Sequence, residues 1–228
     1  MSPGKAEGTP AARIRGLYAI LDPSVVIREG GDPEGDLDRA LAEALDGGCR
    51  LIQFRDKLAY PRLLLSRAKR FAGACREAGA LFVVNDRLDV ALLSGAGGCH
   101  LGQDDLPIPA ARRIVPKNFL LGASTRNVRE ARKAQEEGAD YIGVGAIFPT
   151  TTKGDAGEPR GSRLVEEVAE AVSIPTVAIS GIARKNVREV IRAGASAFAV
   201  ISDLFTGPGV RERTVEFLKI WEEESSRR

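Results

Sequence analysis

The chain has few cysteines and no long apolar segment. Its 228 residues include three cysteines, Cys49, Cys75 and Cys99, and none of them stands in a Cys-x-x-Cys or histidine-paired spacing. An odd number without such spacing argues against a disulfide framework and against a metal site built from them. We therefore interpret the three as small buried apolar residues in a reducing cytoplasm. No apolar run approaches the roughly 20 residues of a membrane-spanning helix, so we expect no membrane span.

An excess of charge of one sign is also missing. The chain has 33 basic and 31 acidic residues, a formal net charge of +2, and the basic residues are scattered along the sequence. This balance argues against a nucleic-acid-binding protein. The first 13 residues are rich in glycine, proline and alanine and lack the hydrophobic core of a secretory signal. We predict that residues 1–13 are disordered and that the protein is cytoplasmic.

A weak repeat runs through the remaining sequence. An amphipathic segment ends at a glycine, a few small or polar residues follow, and a short apolar run begins. The pattern occurs as DGGCRLIQF, EAGALFVVN, GAGGCHLGQ, EEGADYIGV and RAGASAFAV. The glycine suits the left-handed residue that closes a helix, and the apolar run is typical of a strand buried on both faces. Helices that alternate with such strands predict parallel strands with helical crossovers.

Eight such units are predicted in residues 14–228. Strands are expected at 16–21, 50–54, 81–84, 99–101, 120–123, 141–144, 176–179 and 197–200, and helices at 37–46, 61–78, 88–94, 109–114, 128–137, 162–172, 186–193 and 210–223. Eight units without a linker predict an α/β fold, a single-domain (β/α)8 TIM barrel that forms the catalytic domain. A doubly wound open sheet is the alternative, but no Gly-x-Gly-x-x-Gly motif follows the first strand. Residues 28–36, rich in Gly, Asp and Glu, are predicted to form a mobile loop or a lid.

Polar side chains follow the second predicted strand. A period of two places Gln53, Arg55 and Lys57 on one side of the chain and Phe54 on the other. In this fold the carboxyl ends of the strands surround one mouth, where the chemistry takes place. The three polar side chains would line that mouth, or the strand end would simply fray into charged residues in solvent.

Acidic side chains follow the third and fourth predicted strands. Asn85 and Asp86 come directly behind an apolar run, and Asp105 follows the next one. Carboxylates from neighbouring strands form an oxygen-ligand set that suits Mg²⁺, which usually takes one or two carboxylates and leaves its other positions to water and phosphate. The alternative for Asp86 is that it caps the helix predicted to begin near Leu88.

The later strands end in residues suited to anions. Ser124 follows the fifth strand, and YIGVGAIFPTTTKGDAG (141–157) changes from apolar residues to hydroxyls, a lysine and glycines. Loops after strands seven and eight of TIM barrels commonly bind phosphate through backbone N–H groups. Gly181 would let the backbone approach such an anion, or it would serve only the turn. With the cations and the acidic pair, these residues describe a site for a diphosphate beside a second phosphate.

With these motifs in this order, the chain resembles the thiamine-phosphate synthase family. The resemblance runs from about residue 17 to residue 202 and is carried by LIQFRDK (51–57), VVNDRLDVALLSGAGGCHLGQDDLP (83–107), LGASTRN (121–127), DYIGVGAIFPTTTKGDAG (140–157) and IPTVAISGIARKNVREVIRAGASAFAVIS (174–202). Members of this family are TIM barrels that join hydroxymethylpyrimidine diphosphate to a thiazole phosphate and release pyrophosphate, with Mg²⁺. The resemblance implies that this chain is such a transferase.

The resemblance also implies roles for individual residues. The pyrimidine diphosphate would be held by Gln53, Arg55, Lys57, Asn85, Ser124 and Lys153. Mg²⁺ would be bound by Asp86 and Asp105. The thiazole phosphate would be held by Thr150, Thr152, Gly181, Ile201 and Ser202. The residues most directly engaged in the reaction would be Lys153, Arg55 and Ser124. His100 lies inside the motif and is interpreted as structural.

Three positions depart from the family pattern. Ser180 stands where a glycine is usual, and we expect a slightly rearranged thiazole-phosphate loop. Arg126 stands where a histidine is common and adds a cation near Ser124. Ala146 replaces a usual proline, which should loosen its loop.

Two other functions fit a barrel of this kind. A thiazole tautomerase would act on the thiazole phosphate alone, without a need for the acidic pair or the diphosphate cations. A catalytically silent barrel that binds thiamine precursors would gain little from magnesium ligands. The residues favour the synthase over both. The expected partners are small-molecule substrates, with no nucleic acid or membrane, and by family resemblance a second copy of the chain in a homodimer.

Overall fold

Parallel strands close into a barrel in the computed structural model, which describes residues 10–27, 29–150 and 158–227. The strands are β1 (Gly16–Leu21), β2 (Leu51–Phe54), β3 (Leu81–Asn85), β4 (Gly98–Leu101), β5 (Leu120–Thr125), β6 (Tyr141–Val144), β7 (Thr176–Ala178) and β8 (Ala197–Val200). Each strand pairs with the next along the chain, and β8 returns to β1 with Gly16 opposite Ala197. The predicted (β/α)8 barrel is confirmed.

Helices connect the strands and surround the barrel. They are α1 (Pro23–Val26), α2 (Pro33–Asp46), α3 (Pro61–Glu77), α4 (Leu88–Ser94), α5 (Ile108–Arg112), α6 (Val128–Glu136), α7 (Arg163–Ala171), α8 (Val187–Arg192), α9 (Ser202–Phe205) and α10 (Val210–Ser225). The sequence did not predict α1 and α9. Each has four residues, which is too short to display a helical period.

The strands are buried on both faces, as their apolar composition predicts. In β1, Leu17, Ala19 and Leu21 pack in the large cluster that includes the helices. Tyr18 and Ile20 belong to a second cluster, made mostly of strand residues, that fills the barrel interior. This alternation follows from the two-residue period of a strand. Polar side chains that face inward therefore collect where the strands end.

Part of the predicted loop at residues 28–36 is helical. Helix α2 begins at Pro33, and Asp32 caps it by accepting a hydrogen bond from the N–H of Glu34 at 3.2 Å. An Asp-Pro pair favours a helix start because the carboxylate satisfies a free N–H and proline fits the first turn. The prediction of a loop or lid is therefore wrong for residues 33–36, and Arg28 lies outside the described residues.

The predicted disorder of residues 1–13 does not extend to residues 10–13, since Pro10–Arg13 form a 3-10 helix. Arg13 donates a hydrogen bond to the carbonyl oxygen of Gly79 at 3.0 Å, and Ala11 packs against the interior cluster. The segment covers the amino-terminal end of the barrel, where the interior would otherwise meet water. Residues 1–9 lie outside the described part of the chain.

The cysteines occupy the positions expected of core residues. All three are buried and free. Burial raises the pKa of the Cys49 thiol to about 11 and that of Cys75 to about 12, so both stay protonated at neutral pH. They pack as apolar side chains. Within the described ranges, no helix combines the length and the apolar character that crossing a membrane requires.

Candidate active site

A cavity of about 570 Å³ opens at the carboxyl ends of the strands. Every predicted site residue that the structure describes lines it: Gln53, Arg55, Lys57, Asn85, Asp86, Asp105, Ser124, Thr150, Gly181, Ile201 and Ser202. Thr152 and Lys153 lie outside the described residues. The barrel thus brings residues from distant parts of the sequence around one space, which is of a size typical of small-molecule sites.

Arg55 is held at the mouth by Asp22, a residue that the sequence did not single out. One carboxylate oxygen of Asp22 accepts hydrogen bonds from the N–H of Ser24 at 3.0 Å and from its hydroxyl at 2.7 Å. The other oxygen forms an ion pair with Arg55. Asp22 thus caps α1 through its bond to the Ser24 N–H. Because Asp22 is buried, its carboxylate also fixes the direction of the Arg55 guanidinium, which faces the cavity.

Asp86 and Asp105 interact with each other, and the Lys57 ammonium contacts Asp86. Asp105 accepts a hydrogen bond from the N–H of Gly102 at 2.7 Å. Burial raises the pKa of Asp105, and the neighbouring Asp86 carboxylate raises it further. Helix α4 begins at Leu88 without a side-chain cap, so the alternative in which Asp86 caps this helix is wrong.

The acidic pair suits magnesium. In the part of the chain that the structure describes, no three or more His, Cys, Asp or Glu side chains are grouped to hold a metal ion. Two carboxylates are what Mg²⁺ usually takes from a protein, with water and phosphate oxygens completing its shell. Burial first and the Asp86 carboxylate second raise the pKa of Asp105, so a cation held by the two carboxylates would favour their ionised forms.

A chain of side-chain hydrogen bonds crosses the floor of the cavity. Nε2 of Gln53 donates to the Tyr18 hydroxyl at 2.9 Å, and the hydroxyls of Tyr18 and Tyr141 are 2.9 Å apart. Nδ1 of His100 is 3.2 Å from the Tyr141 hydroxyl, and its Nε2 is 3.0 Å from Oγ of Ser124. Two predicted site residues are thus joined through three residues that the sequence did not place in the site.

The sequence offered little to identify these connecting residues. Tyr18 and Tyr141 stand in apolar strand runs, where a tyrosine is indistinguishable from a core aromatic. The space for these hydrogen-bonded side chains depends on Gly122, since a Cβ there would lie 2.5 Å from Nδ1 of His100 and 2.5 Å from the Tyr141 hydroxyl oxygen. A glycine at this position of a strand indicates a close approach of neighbouring groups.

The loop after β7 has an unusual backbone. Ser180 and Gly181 have φ values of 81° and 65°. A Cβ at Gly181 would fall against the carbonyl oxygen of Pro149 and 2.8 Å from Cβ of Phe148. Gly181 therefore serves both the turn and a close approach of two loops. Ser180, which replaces a glycine of the family pattern, adopts a conformation that glycine adopts more easily.

An ion pair joins the loops after β7 and β8. The backbone N–H and Nε of Arg184 donate to Asp203 at 2.8 and 3.0 Å. Burial alone would raise the pKa of Asp203, but its bonds to Arg184 lower it below its ordinary value. Asp203 belongs to α9, so the pair connects the Gly181 loop to Ser202. The sequence did not predict this connection, because the two residues come from different βα units.

The cavity therefore has two sides that suit anions. Arg55, Lys57 and the acidic pair lie on the first, and the loops after β7 and β8 form the second. Arg126 and Lys185 also line the cavity and add positive charge. Such an arrangement can bind a diphosphate with a divalent cation and, separately, a phosphate monoester.

Comparisons with known proteins agree with this geometry. A family model described as thiamine monophosphate synthase matches residues 17–204. The thiamine-phosphate synthase of Shouchella clausii is 44% identical over 209 residues, which are 92% of this chain and 97% of that protein. The thiamine-phosphate synthase of Methanospirillum hungatei is 45% identical over 202 residues, which are 89% and 95% of the two chains.

A solved structure gives the same result. The thiamine phosphate pyrophosphorylase from Pyrococcus furiosus has a TM-score of 0.83 and 39% sequence identity, and the match covers 94% of this chain and 98% of that one. Sequence and fold match along nearly the whole length, and this chain belongs to the thiamine monophosphate synthase family.

Proposed function

We propose that this protein is a thiamine-phosphate synthase, a transferase that joins the pyrimidine diphosphate to the thiazole phosphate. The products would be thiamine monophosphate and pyrophosphate. The observation that carries the proposal is a single cavity in which Arg55, Lys57 and an acidic pair lie together with the loops after β7 and β8. A reaction between a diphosphate ester and a phosphate ester requires both sides at once.

We assign the diphosphate to the first side, where its ligands would be Gln53, Arg55, Lys57, Asn85, Ser124 and Lys153. The guanidinium and ammonium groups neutralise the negative charge that grows on the diphosphate as its bond to carbon breaks. Arg55 is already oriented by buried Asp22, so little reorganisation accompanies the reaction. This orientation is the form of electrostatic stabilisation that accelerates a charge-separating step.

Asp86 and Asp105 are the residues that would hold Mg²⁺. When bound, the ion supplies positive charge to the diphosphate oxygens. Asp105 lies beside Asp86, and the Lys57 ammonium contacts Asp86. Two neighbouring carboxylates that face the cavity are the protein ligands that Mg²⁺ usually takes, which supports the assignment.

We assign the thiazole phosphate to the second side, where its ligands would be Thr150, Thr152, Gly181, Ile201 and Ser202. Hydroxyl groups and backbone N–H groups would bind the phosphate oxygens. Gly181 lets the main chain come close, because no side chain stands in the way. The ion pair between Arg184 and Asp203 joins the two loops that carry Gly181 and Ser202.

The reaction that fits these residues is a dissociative substitution at the pyrimidine methylene. The bond between this carbon and the diphosphate oxygen breaks, and its electron pair leaves with the oxygen. The pyrimidine ring stabilises the resulting cation, and the lone pair of the thiazole nitrogen forms the new bond to carbon. The protein aligns the two partners and neutralises charge, and it forms no covalent bond to either.

Pyrophosphate release tests the proposal. Both substrates and Mg²⁺ are mixed with the protein, and pyrophosphate and thiamine monophosphate are measured by chromatography. Release should require both substrates and the metal ion. A tautomerase would change the thiazole phosphate without releasing pyrophosphate, and a binding-only barrel would leave both substrates unchanged.

The role of Asp86 has its own test. Asp86→Ala should shift the dependence of the rate on magnesium concentration, and an unchanged dependence would refute Asp86 as a ligand.

We also propose that the protein works in the cytoplasm as a homodimer. The three buried thiols suit a reducing compartment. Light scattering of the purified chain would give its oligomeric state, and a monomeric mass would overturn the dimer.

A further inference from the structure

Five side chains form the hydrogen-bond chain on the cavity floor, which we call the relay: Gln53, Tyr18, Tyr141, His100 and Ser124. We propose that the relay runs in one direction, from Gln53 to Ser124, and holds His100 as the neutral tautomer with its proton on Nε2. The Ser124 hydroxyl then points its own proton into the cavity. The ligand at that point rests on the proposed function, whereas the direction of the relay follows from the side chains alone.

The direction begins at Gln53. Its Nε2 group only donates, so the oxygen of the Tyr18 hydroxyl accepts at 2.9 Å. The proton of Tyr18 is then left for the Tyr141 hydroxyl, also at 2.9 Å. Burial raises the pKa of both tyrosines, so each phenol keeps its single proton at neutral pH.

The direction continues through His100. Tyr141 accepts from Tyr18 and therefore donates to Nδ1 of His100, at 3.2 Å. Nδ1 must then carry no proton, and the single proton of a neutral imidazole lies on Nε2. Nε2 donates to Oγ of Ser124 at 3.0 Å. The serine oxygen is now an acceptor, and its proton remains for a ligand.

The opposite direction leaves one proton without a partner. If His100 donated from Nδ1 to Tyr141, Tyr18 would be the only acceptor for the Tyr141 proton within the described residues. The Tyr18 oxygen would then accept from both sides, and within the described residues its own buried proton would have no acceptor. A buried unsatisfied donor is costly. Among the residues that the structure describes, the Tyr18 hydroxyl proton also lacks an acceptor if His100 carries protons on both nitrogens.

The direction of the relay leaves one group at each end that can bind a ligand. Ser124 would donate to a diphosphate oxygen as that oxygen becomes more negative. The Gln53 amide donates one N–H to Tyr18, and its carbonyl oxygen can accept a hydrogen bond from a ligand, such as the amino group of the pyrimidine. Tyr18, Tyr141 and His100 are therefore positioning residues, which act through the two residues that would touch the substrate.

The chain offers a direct measurement, because His100 is its single histidine. The full chain is labelled with ¹⁵N-histidine, and long-range ¹H–¹⁵N correlation spectra are recorded at neutral pH without substrate. The expected pattern is a protonated Nε2 and an unprotonated Nδ1. A proton on Nδ1, or on both nitrogens, would overturn the proposed direction. A proton on Nδ1 alone would indicate that the Gln53 amide presents its oxygen to Tyr18.

Two variants test the connection to turnover. Tyr141→Phe removes the donor to Nδ1, so the histidine signals should shift towards the other tautomer and kcat should fall roughly tenfold or more. Tyr18→Phe removes the preceding donor and should give a smaller change of the same kind. Tyr60→Phe is the matched control, since this tyrosine is 63% exposed. Unchanged spectra and unchanged kcat in Tyr141→Phe would overturn the relay.

The two proposals fail separately. A chain with the expected tautomer that releases no pyrophosphate supports the relay and overturns the proposed function. A chain that turns over normally with its proton on Nδ1 supports the function and overturns the relay.

Discussion

Replacing Asp22 by asparagine tests whether Arg55 depends on a buried anion. The side chains of Arg55 and Asp22 are 16% and 3% exposed. Asparagine keeps the shape of the side chain and can still accept hydrogen bonds from Ser24, but it removes the charge beside the guanidinium. Loss of one partner of a buried pair costs about 3–5 kcal/mol. Because Arg55 reaches the water of the cavity, we expect about 2–3 kcal/mol here.

The effect on activity follows from the freed guanidinium. An Arg55 side chain that leaves its position would no longer contact the diphosphate that we propose it binds, and kcat/KM should fall about 10- to 100-fold, or roughly 1.4–2.7 kcal/mol. Urea unfolding would measure the stability, and steady-state pyrophosphate release would measure the activity.

A matched control removes the same charge from an exposed pair. Asp38 pairs with Arg70 at 2.7 Å, with side chains 48% and 38% exposed. Asp38→Asn should cost less than about 1 kcal/mol and leave kcat/KM unchanged. If Asp22→Asn lost no more stability than this control and kept full kcat/KM, the proposed role of Asp22 would be refuted.

Three further substitutions have defined outcomes. Asp105→Asn should stabilise the magnesium-free protein at neutral pH, because burial and Asp86 raise the pKa of Asp105 above its ordinary 3.8. The protonated acid favours folding below pH 3.8, and this contribution is lost as the pH rises through the raised pKa, so the advantage of the variant should grow over that window. Gly181→Ala should lower stability by about 1–3 kcal/mol and raise KM for the thiazole phosphate. Lys153→Ala should slow turnover about 30- to 1000-fold without loss of folding.

Each substitution has its own check. Urea midpoints in EDTA across the acidic range measure the first, and a loss of stability by Asp105→Asn at neutral pH would contradict the reasoning. Gly79→Ala is the control for Gly181→Ala, since Gly79 has a φ of 67° but nothing within 4 Å of an added Cβ. Equal losses would show that crowding at Gly181 is unimportant. Near-normal turnover in Lys153→Ala would remove that residue from the mechanism.

The barrel could be predicted because its strands are short apolar runs that follow a glycine. The predicted bounds match the structure for β1, β6 and β8. Strand β5 continues two residues past its predicted end, because Ser124 and Thr125 pair with Gly143 and Val144. Pairing of this kind depends on the neighbouring strand, and the polarity of the two residues concealed it.

The candidate site was predictable where position along a strand decides it. Arg55 and Asp105 reach the cavity because they follow strands whose carboxyl ends meet at one mouth. Asp22 and Tyr18 were missed because their importance depends on partners in other strands, and nothing near them in the sequence marks those partners. The roles of all the site residues stay predictions, and Thr152 and Lys153 also lie outside the described residues.

The pairing of β8 with β1 has a consequence for the newly made protein. Strand β1 leaves the ribosome early, but β8, which pairs with its other edge, begins only at Ala197. Until that residue emerges, the nascent chain carries an incomplete ring with two open sides, each able to add a strand from another molecule. These open edges therefore need protection during translation, whereas in the closed barrel each of the eight strands is paired on both edges.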